Sequence, residues 1–235
     1  VSDAVFSGNA ATVSGGAVYN SAAGQAVLAG SNFFGGNTAA GQANDIHNEG
    51  IFSFGSDGVT HVATVLNGGV SGSGEMYLNQ GTLTLAQGSQ IHQYTFQAAA
   101  GTVTYVTLND NHLVQASGVS RFGELDDGVR DGQDKALDTI GNDGFAIHTR
   151  GGMILDKDAV LHVTINDSEP GKTYLVAYNE QPQSLLRAAR AVTLTAQGFS
   201  HEETAWKNVN LLSGNPMLEF DRVEEDNDNG YVMVS

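Results

Sequence analysis

The chain has 235 residues, with 30 glycines, 3 prolines, no cysteine and a net charge of −16. The absence of cysteine excludes disulfide stapling and thiol chemistry, and no apolar run approaches the roughly 20 residues needed to cross a bilayer as a helix. No Lys or Arg precedes Arg121, whereas that stretch holds Asp3, Asp45, Glu49, Asp57, Glu75 and Asp110, so nucleic acid, sulfated glycans and anionic membranes are poor partners for the first half.

Residues 6–20 and 34–48 are two copies of one pattern, offset by 28 positions. Phe6-Ser7-Gly8-Asn9-Ala10-Ala11 recurs as Phe34-Gly35-Gly36-Asn37-Thr38-Ala39, and Ala17-Val18-Tyr19-Asn20 recurs as Asp45-Ile46-His47-Asn48. A fixed period of this size predicts a solenoid whose units stack to bury a shared core. Asn48 to Phe54 is similar to Asn79 to Leu85, and the extension of the latter is similar to Gly151 onward. Each copy is Gly or Asn followed by a short alternating apolar strand, with one face to bury and one to wet. Gly and Asn between strands suit corners because both tolerate positive φ.

Helical spacing is confined to Gln183–Arg190, enough for two turns on a loop. Length and repeat together predict a single elongated domain over 1–235, with an excursion at 109–145 and C-terminal strands with a hairpin-like end over 166–235. Asp-Asn-Gly at 228–230 predicts a hairpin turn between Phe220–Val223 and Tyr231–Val234.

The segment Phe6 to Asn20, read as Phe-x-Gly-Asn-x-Ala followed by Gly-Gly-Ala-Val-Tyr-Asn, resembles the repeat of polymorphic outer-membrane proteins and related Gram-negative autotransporters. The strand at 79–85 is similar to the rungs of autotransporter passengers. The stretch containing Gly171–Val176, Trp206, Asn215–Leu218 and Gly230–Val234 is similar to the last passenger rungs before the membrane barrel. The resemblance implies an all-β, right-handed parallel β-helix with loop excursions. It implies a secreted or surface-displayed, non-enzymatic adhesin or stalk anchored at the outer membrane. The implied partners are a host or bacterial surface glycan or protein, further copies of the chain, and its own barrel in the full-length protein. The chain begins inside a repeat and reads as a fragment whose targeting signals lie outside it.

The alternative on the same fold is a polysaccharide hydrolase or lyase. Glycosidic cleavage needs paired carboxyls, and Asp126-Asp127-Gly128 with Asn142-Asp143-Gly144 faintly resembles polygalacturonase motifs, but in the wrong order and without the Gly-His-Gly and Arg-x-Lys elements that should follow. Arg121, Arg130 and Arg150 are the bases a lyase could use. His47, His61, His92, His112, His148, His162 and His201 show no His-x-His or His-x-x-x-His spacing, so no zinc site is expected. Asp126, Asp127, Asp131 and Asp134, and the run Glu224 to Gly230, offer oxygen ligands to calcium, but the second lacks the bidentate Glu after its Gly. Gly69-Val70-Ser71-Gly72 approaches a Gly-x-Ser-x-Gly nucleophile motif without its strand-to-helix context. The sequence therefore assigns no catalytic, cofactor or metal residue, and the expected binding site is the excursion from Asn109 to Asp143.

Overall fold

The computed structural model describes residues 1–56, 61–86, 88–112, 144–156, 158–165, 174–180, 209–213, 223–226 and 231–234. The architecture is all-β and dominated by parallel sheets, and the chain runs through the sheets in successive passes.

The first pass contains β1 (Val5–Ser7), β2 (Ala10–Ala11), β3 (Val18–Asn20) and β4 (Gln25–Leu28). The second contains β5 (Gly30–Gly35), β6 (Thr38–Ala39), β7 (Gln42–Ala43), β8 (Ile46–Asn48) and β9 (Ile51–Phe54). β10 (Val62–Leu66), β11 (Val70–Ser71) and β12 (Glu75–Leu78) form the third, and β13 (Thr82–Leu85) and β14 (Ile91–Ala98) the fourth. β15 (Val103–Leu108) and β16 (Ile147–Leu155) follow, then β17 (Val160–Ile165), β18 (Tyr174–Asn179), β19 (Val209–Ser213), β20 (Val223–Asp226) and β21 (Tyr231–Val234).

β1, β5, β10, β13, β15, β17 and β19 lie side by side in a seven-stranded sheet, every pair parallel. The eleven-stranded sheet stacks β3, β8, β11, β14, β16 and β18, with β4, β9 and β12 continuing it beside β14. β14 and β16 are long enough to pair along both halves. Only β18, β21 and β20 close it with antiparallel pairing.

The 28-residue offset read in the sequence is the stacking register. Phe6 pairs with Phe34, Ala10 with Thr38, Val18 with Ile46 and Asn20 with Asn48. Their side chains bond like to like: the Phe6 and Phe34 rings stack at 4.4 Å, and Asn9 Nδ2 donates to Asn37 Oδ1 at 2.8 Å. After the second pass the offset changes, since Ser31 pairs with Ala63, Ala63 with Thr82, Thr82 with Val103 and Val103 with Val160. The self-similar segments 48–54 and 79–85 are both strands but do not stack on each other. Phe52 lies on Met76, and Leu83 on Thr64 in the other sheet.

Alternation decides the core. In β10, β12, β13 and β17 every second residue is buried, and parallel register turns those positions into columns. Leu66 and Leu85 follow Phe34 on one wall. Facing them, Phe52, Met76, Phe96 and Met153 form one column and Phe54, Leu78, Ala98 and Leu155 the next. All eleven of these side chains are essentially inaccessible, and burying each large one contributes about 1.5–3 kcal/mol against unfolding.

The expected excursion at 109–145 opens with a short 3-10 turn, Asp110–His112. Residues 113–143 lie outside the described part, and pairing resumes at Ile147 beneath Ile91. Gln183–Arg190 also lies outside it. The C-terminal hairpin forms, but its first arm is Val223–Asp226 rather than Phe220–Val223, with Val223 opposite Val234 and Asp226 opposite Tyr231. Pairing Asp226 with Tyr231 leaves four residues between the arms, whereas an arm ending at Val223 would leave seven, and short connections favour the hairpin.

Candidate functional site

In-register parallel strands place equivalent residues about 4.8 Å apart, so chemistry distant in sequence converges along a column. Val18, Ile46, Val70, Ile91, Ile147 and Ala177 face inward. The next position along each strand, by the same register, forms a second column that faces outward at Tyr19, His47, Ser71 and His92 and is covered at His148 before reaching Tyr178. Tyr19 and His47 stack at 5.4 Å, His92 meets His148 edge to face at 5.5 Å, and His148 contacts Tyr178 at 5.2 Å. Three of the seven histidines thus share one ladder, although no short-range spacing links them.

One position further, the side chains turn inward and form a buried amide ladder. Asn20 Nδ2 donates to Asn48 Oδ1 at 2.8 Å, and Asn48 Nδ2 donates to Gln93 Oε1 at 2.6 Å and to the Glu75 carbonyl at 3.0 Å. Gln93 Nε2 donates to the Ser71 carbonyl at 2.9 Å and to its own neighbour, the His92 carbonyl, at 2.7 Å. Buried amides are tolerated because each donor has an acceptor. The ladder fixes the backbone directly behind the outward column.

A directed hydrogen-bond chain crosses the first three passes. Gly15 N–H donates to Asn44 Oδ1 at 3.1 Å, which turns the amide so that Nδ2 donates to Ser71 Oγ at 2.8 Å. His47 Nδ1 is 2.9 Å from Ser71 Oγ, and His47 Nε2 is 2.8 Å from Glu49 Oε1. A carboxylate can only accept, so Nε2 carries the proton and Nδ1 is left to accept from the Ser71 hydroxyl. Ser73 Oγ–H donates to the other oxygen, Glu49 Oε2. The Ser73 hydroxyl holds the Glu49 carboxyl below the usual range against the opposing effect of burial, with the His47 ring contributing less.

Beside Ser71 lies a shallow groove of about 360 Å³. Gln42, Asn44, Ser71, Ser89, Gln90 and His92 contribute to its lining, so its surface is mostly amide, hydroxyl and imidazole. Farther along the column, Glu180 receives both His148 Nε2 at 3.1 Å and Arg150 Nε at 3.6 Å.

Among the candidates singled out by sequence, Arg121, Asp126, Asp127, Arg130, Asp131, Asp134, Asn142, Asp143 and His201 lie outside the described residues. Arg150 is engaged by Glu180, and Glu224, Glu225 and Asp226 belong to β20. His61 sits 3.4 Å from Ser31 Oγ, and His162 stacks on Tyr105 at 4.9 Å. His112 is fully buried, its Nδ1 accepting from Asn109 N–H at 3.1 Å. Among the described residues no three His, Asp or Glu side chains gather as metal ligands do. The sequence offers Ser71 only within an incomplete Gly-x-Ser-x-Gly motif that lacks its strand-to-helix context; its partner His47 comes from another pass, and only the register brings the two together. In comparisons with protein-family models, curated proteins and solved structures, nothing matches this chain.

Proposed function

We propose that this chain is a right-handed parallel β-helix, the passenger of a Gram-negative autotransporter, displayed at the cell surface as an adhesin or stalk. The fold reading rests on the sequential, parallel order of the seven-stranded sheet and on the repeat at its start. The observation that carries the binding reading is the column from Tyr19 to Tyr178, a row of rings and hydroxyls whose open end is Tyr19 stacked on His47, with Ser71 next in register. Rings alternating with hydrogen-bonding groups suit the flat faces and hydroxyl edges of a surface glycan. The absence of Lys and Arg before Arg121 favours a neutral or basic ligand over an anionic one. Further copies of the chain and the excursion after Asn109 are the other contact surfaces in this reading.

An immobilised glycan panel probed with the chain tests it. Saturable binding that weakens at least about tenfold in Tyr19→Ala, a ring that is 59% exposed, supports the ladder as the binding face. Affinity unchanged both by that variant and by replacing residues 113–143 with a short Gly-Ser turn would sink the adhesin reading.

A further inference from the structure

We infer that Ser71, His47 and Glu49 form a nucleophilic relay that hydrolyses short acyl esters of hydroxyl-rich carriers, with the groove beside Ser71 as the acyl-acceptor site. A serine hydroxyl is a weak nucleophile unless a base takes its proton, and that base must be held in one tautomer by a third group. All three roles are filled here by separate hydrogen bonds. Ser71 Oγ lies 2.9 Å from His47 Nδ1, within reach for direct transfer. Glu49 at 2.8 Å from Nε2 fixes the opposite tautomer and stabilises the imidazolium that proton transfer creates. Ser73 immobilises Glu49 from its far oxygen, and Gly15 immobilises Asn44. The amide behind Ser71 is anchored in turn: the Ser71 carbonyl accepts from Gln93 Nε2 at 2.9 Å. Every donor along the chain points toward Glu49, and the Ser71 hydroxyl proton faces His47 Nδ1.

The reaction balances without any added oxidant or cofactor. Ser71 Oγ bonds to the ester carbonyl carbon while its proton passes to His47 Nδ1. The tetrahedral oxyanion is met by a side-chain amide, for which Asn44 Nδ2, already 2.8 Å from Oγ, is the nearest donor. Collapse breaks the bond between the carbonyl carbon and the alcohol oxygen, and the alcohol leaves with the proton from Nδ1. Water, deprotonated by the same nitrogen, then cleaves the acyl-serine to the carboxylic acid and restores Ser71.

The groove sets the substrate class. A volume of about 360 Å³ lined by Gln42, Asn44, Ser89, Gln90 and His92 has room for a short acyl group but no deep apolar slot for a long one. Its amides and hydroxyls match an alcohol rich in hydroxyls, such as an O-acylated sugar. This activity is independent of what the rest of the ladder binds.

The test uses the whole chain with p-nitrophenyl acetate and a fluorophosphonate probe, followed by peptide mapping. The expected result is ester turnover and a covalent adduct on Ser71, both lost in Ser71→Ala and retained in Ser31→Ala. That control removes a different serine–histidine contact, one that lines no part of the groove. Removing the orienting carboxylate in Glu49→Gln should slow labelling about tenfold or more while leaving the hydroxyl in place. If Ser71→Ala loses its β-sheet circular dichroism, the Glu49→Gln rate carries the decision. Absence of a Ser71 adduct, or turnover and labelling unchanged in Glu49→Gln, would overturn the assignment and leave the chain of hydrogen bonds a purely structural ladder.

Discussion

Asn48 and Gln93 are bonded across a pass that contributes no side chain at that level: Asn48 Nδ2 reaches Gln93 Oε1 at 2.6 Å, and the intervening position is Gly72. A Cβ on Gly72 would lie 2.2 Å from the Asn48 carbonyl oxygen, and its φ of +116° is one that L side chains rarely adopt. The glycine therefore supplies both the backbone conformation and the empty slot through which two buried amides meet.

Gly72→Ala is expected to lose about 2–4 kcal/mol, through strain and a broken amide ladder together. That corresponds to a fall of roughly 5–10 °C in thermal midpoint for a chain of this size. Asn48→Ala should cost a similar amount, since it removes the acceptor that Asn20 Nδ2 uses and the donor that Gln93 Oε1 uses. Because both act on one network, the double variant should cost clearly less than the sum. Urea unfolding of the two single variants and the double variant measures this, and full additivity would argue against the shared network.

Adjacent phenylalanines give a sharp test of register. Phe34 is completely buried and stacks on Phe6, whereas Phe33 is 41% exposed on the outer face. Phe34→Ala should destabilise by about 3–5 kcal/mol, and Phe33→Ala by under about 1 kcal/mol. A one-residue slip of β5 would reverse that order, so chemical denaturation of the two variants decides it.

His112 predicts an acid sensitivity. Burial of its ring pushes its pKa down to about 4, and an Nδ1 that accepts from Asn109 N–H is the neutral form's nitrogen. In the unfolded chain a histidine takes a proton near pH 6.5, so between about pH 6.5 and 4 the unfolded state binds more protons than the folded one. The stability associated with a neutral His112 is thus complete above pH 6.5 and is lost as pH falls toward 4, by at most about 3 kcal/mol. Asp45 works in the opposite sense, since burial raises its carboxyl despite the hydrogen bond from Asn37. The difference between the wild-type chain and His112→Phe, followed by urea midpoints from pH 7.5 to 4.5, isolates the histidine. Equal pH slopes for the two would refute a neutral buried His112.

The first two passes were legible residue by residue. Copies at one offset must place Phe6 against Phe34 and Asn20 against Asn48 if the units stack, because each carries the same inward pattern at the same distance from its corner. The strands at 51–54 and 82–85 were equally plain from alternation alone. Their neighbours were not. Corner lengths vary from pass to pass, so Thr82 could lie on Ala63 or elsewhere with no change in local preference, and the similarity of 48–54 to 79–85 carries no information on which strands stack.

What the sequence determined by itself was therefore local and periodic: strands rather than helices, corners at Gly and Asn, an acidic first half, and which face of each strand is apolar. The tertiary structure alone decided which passes lie next to each other, and with that every cross-pass contact. Ser71 acquires His47, Asn48 acquires Gln93, and His92 acquires His148 only through parallel register. The physical reason is that such contacts depend on the number of residues taken up between strands, whereas propensity and alternation are blind to that number.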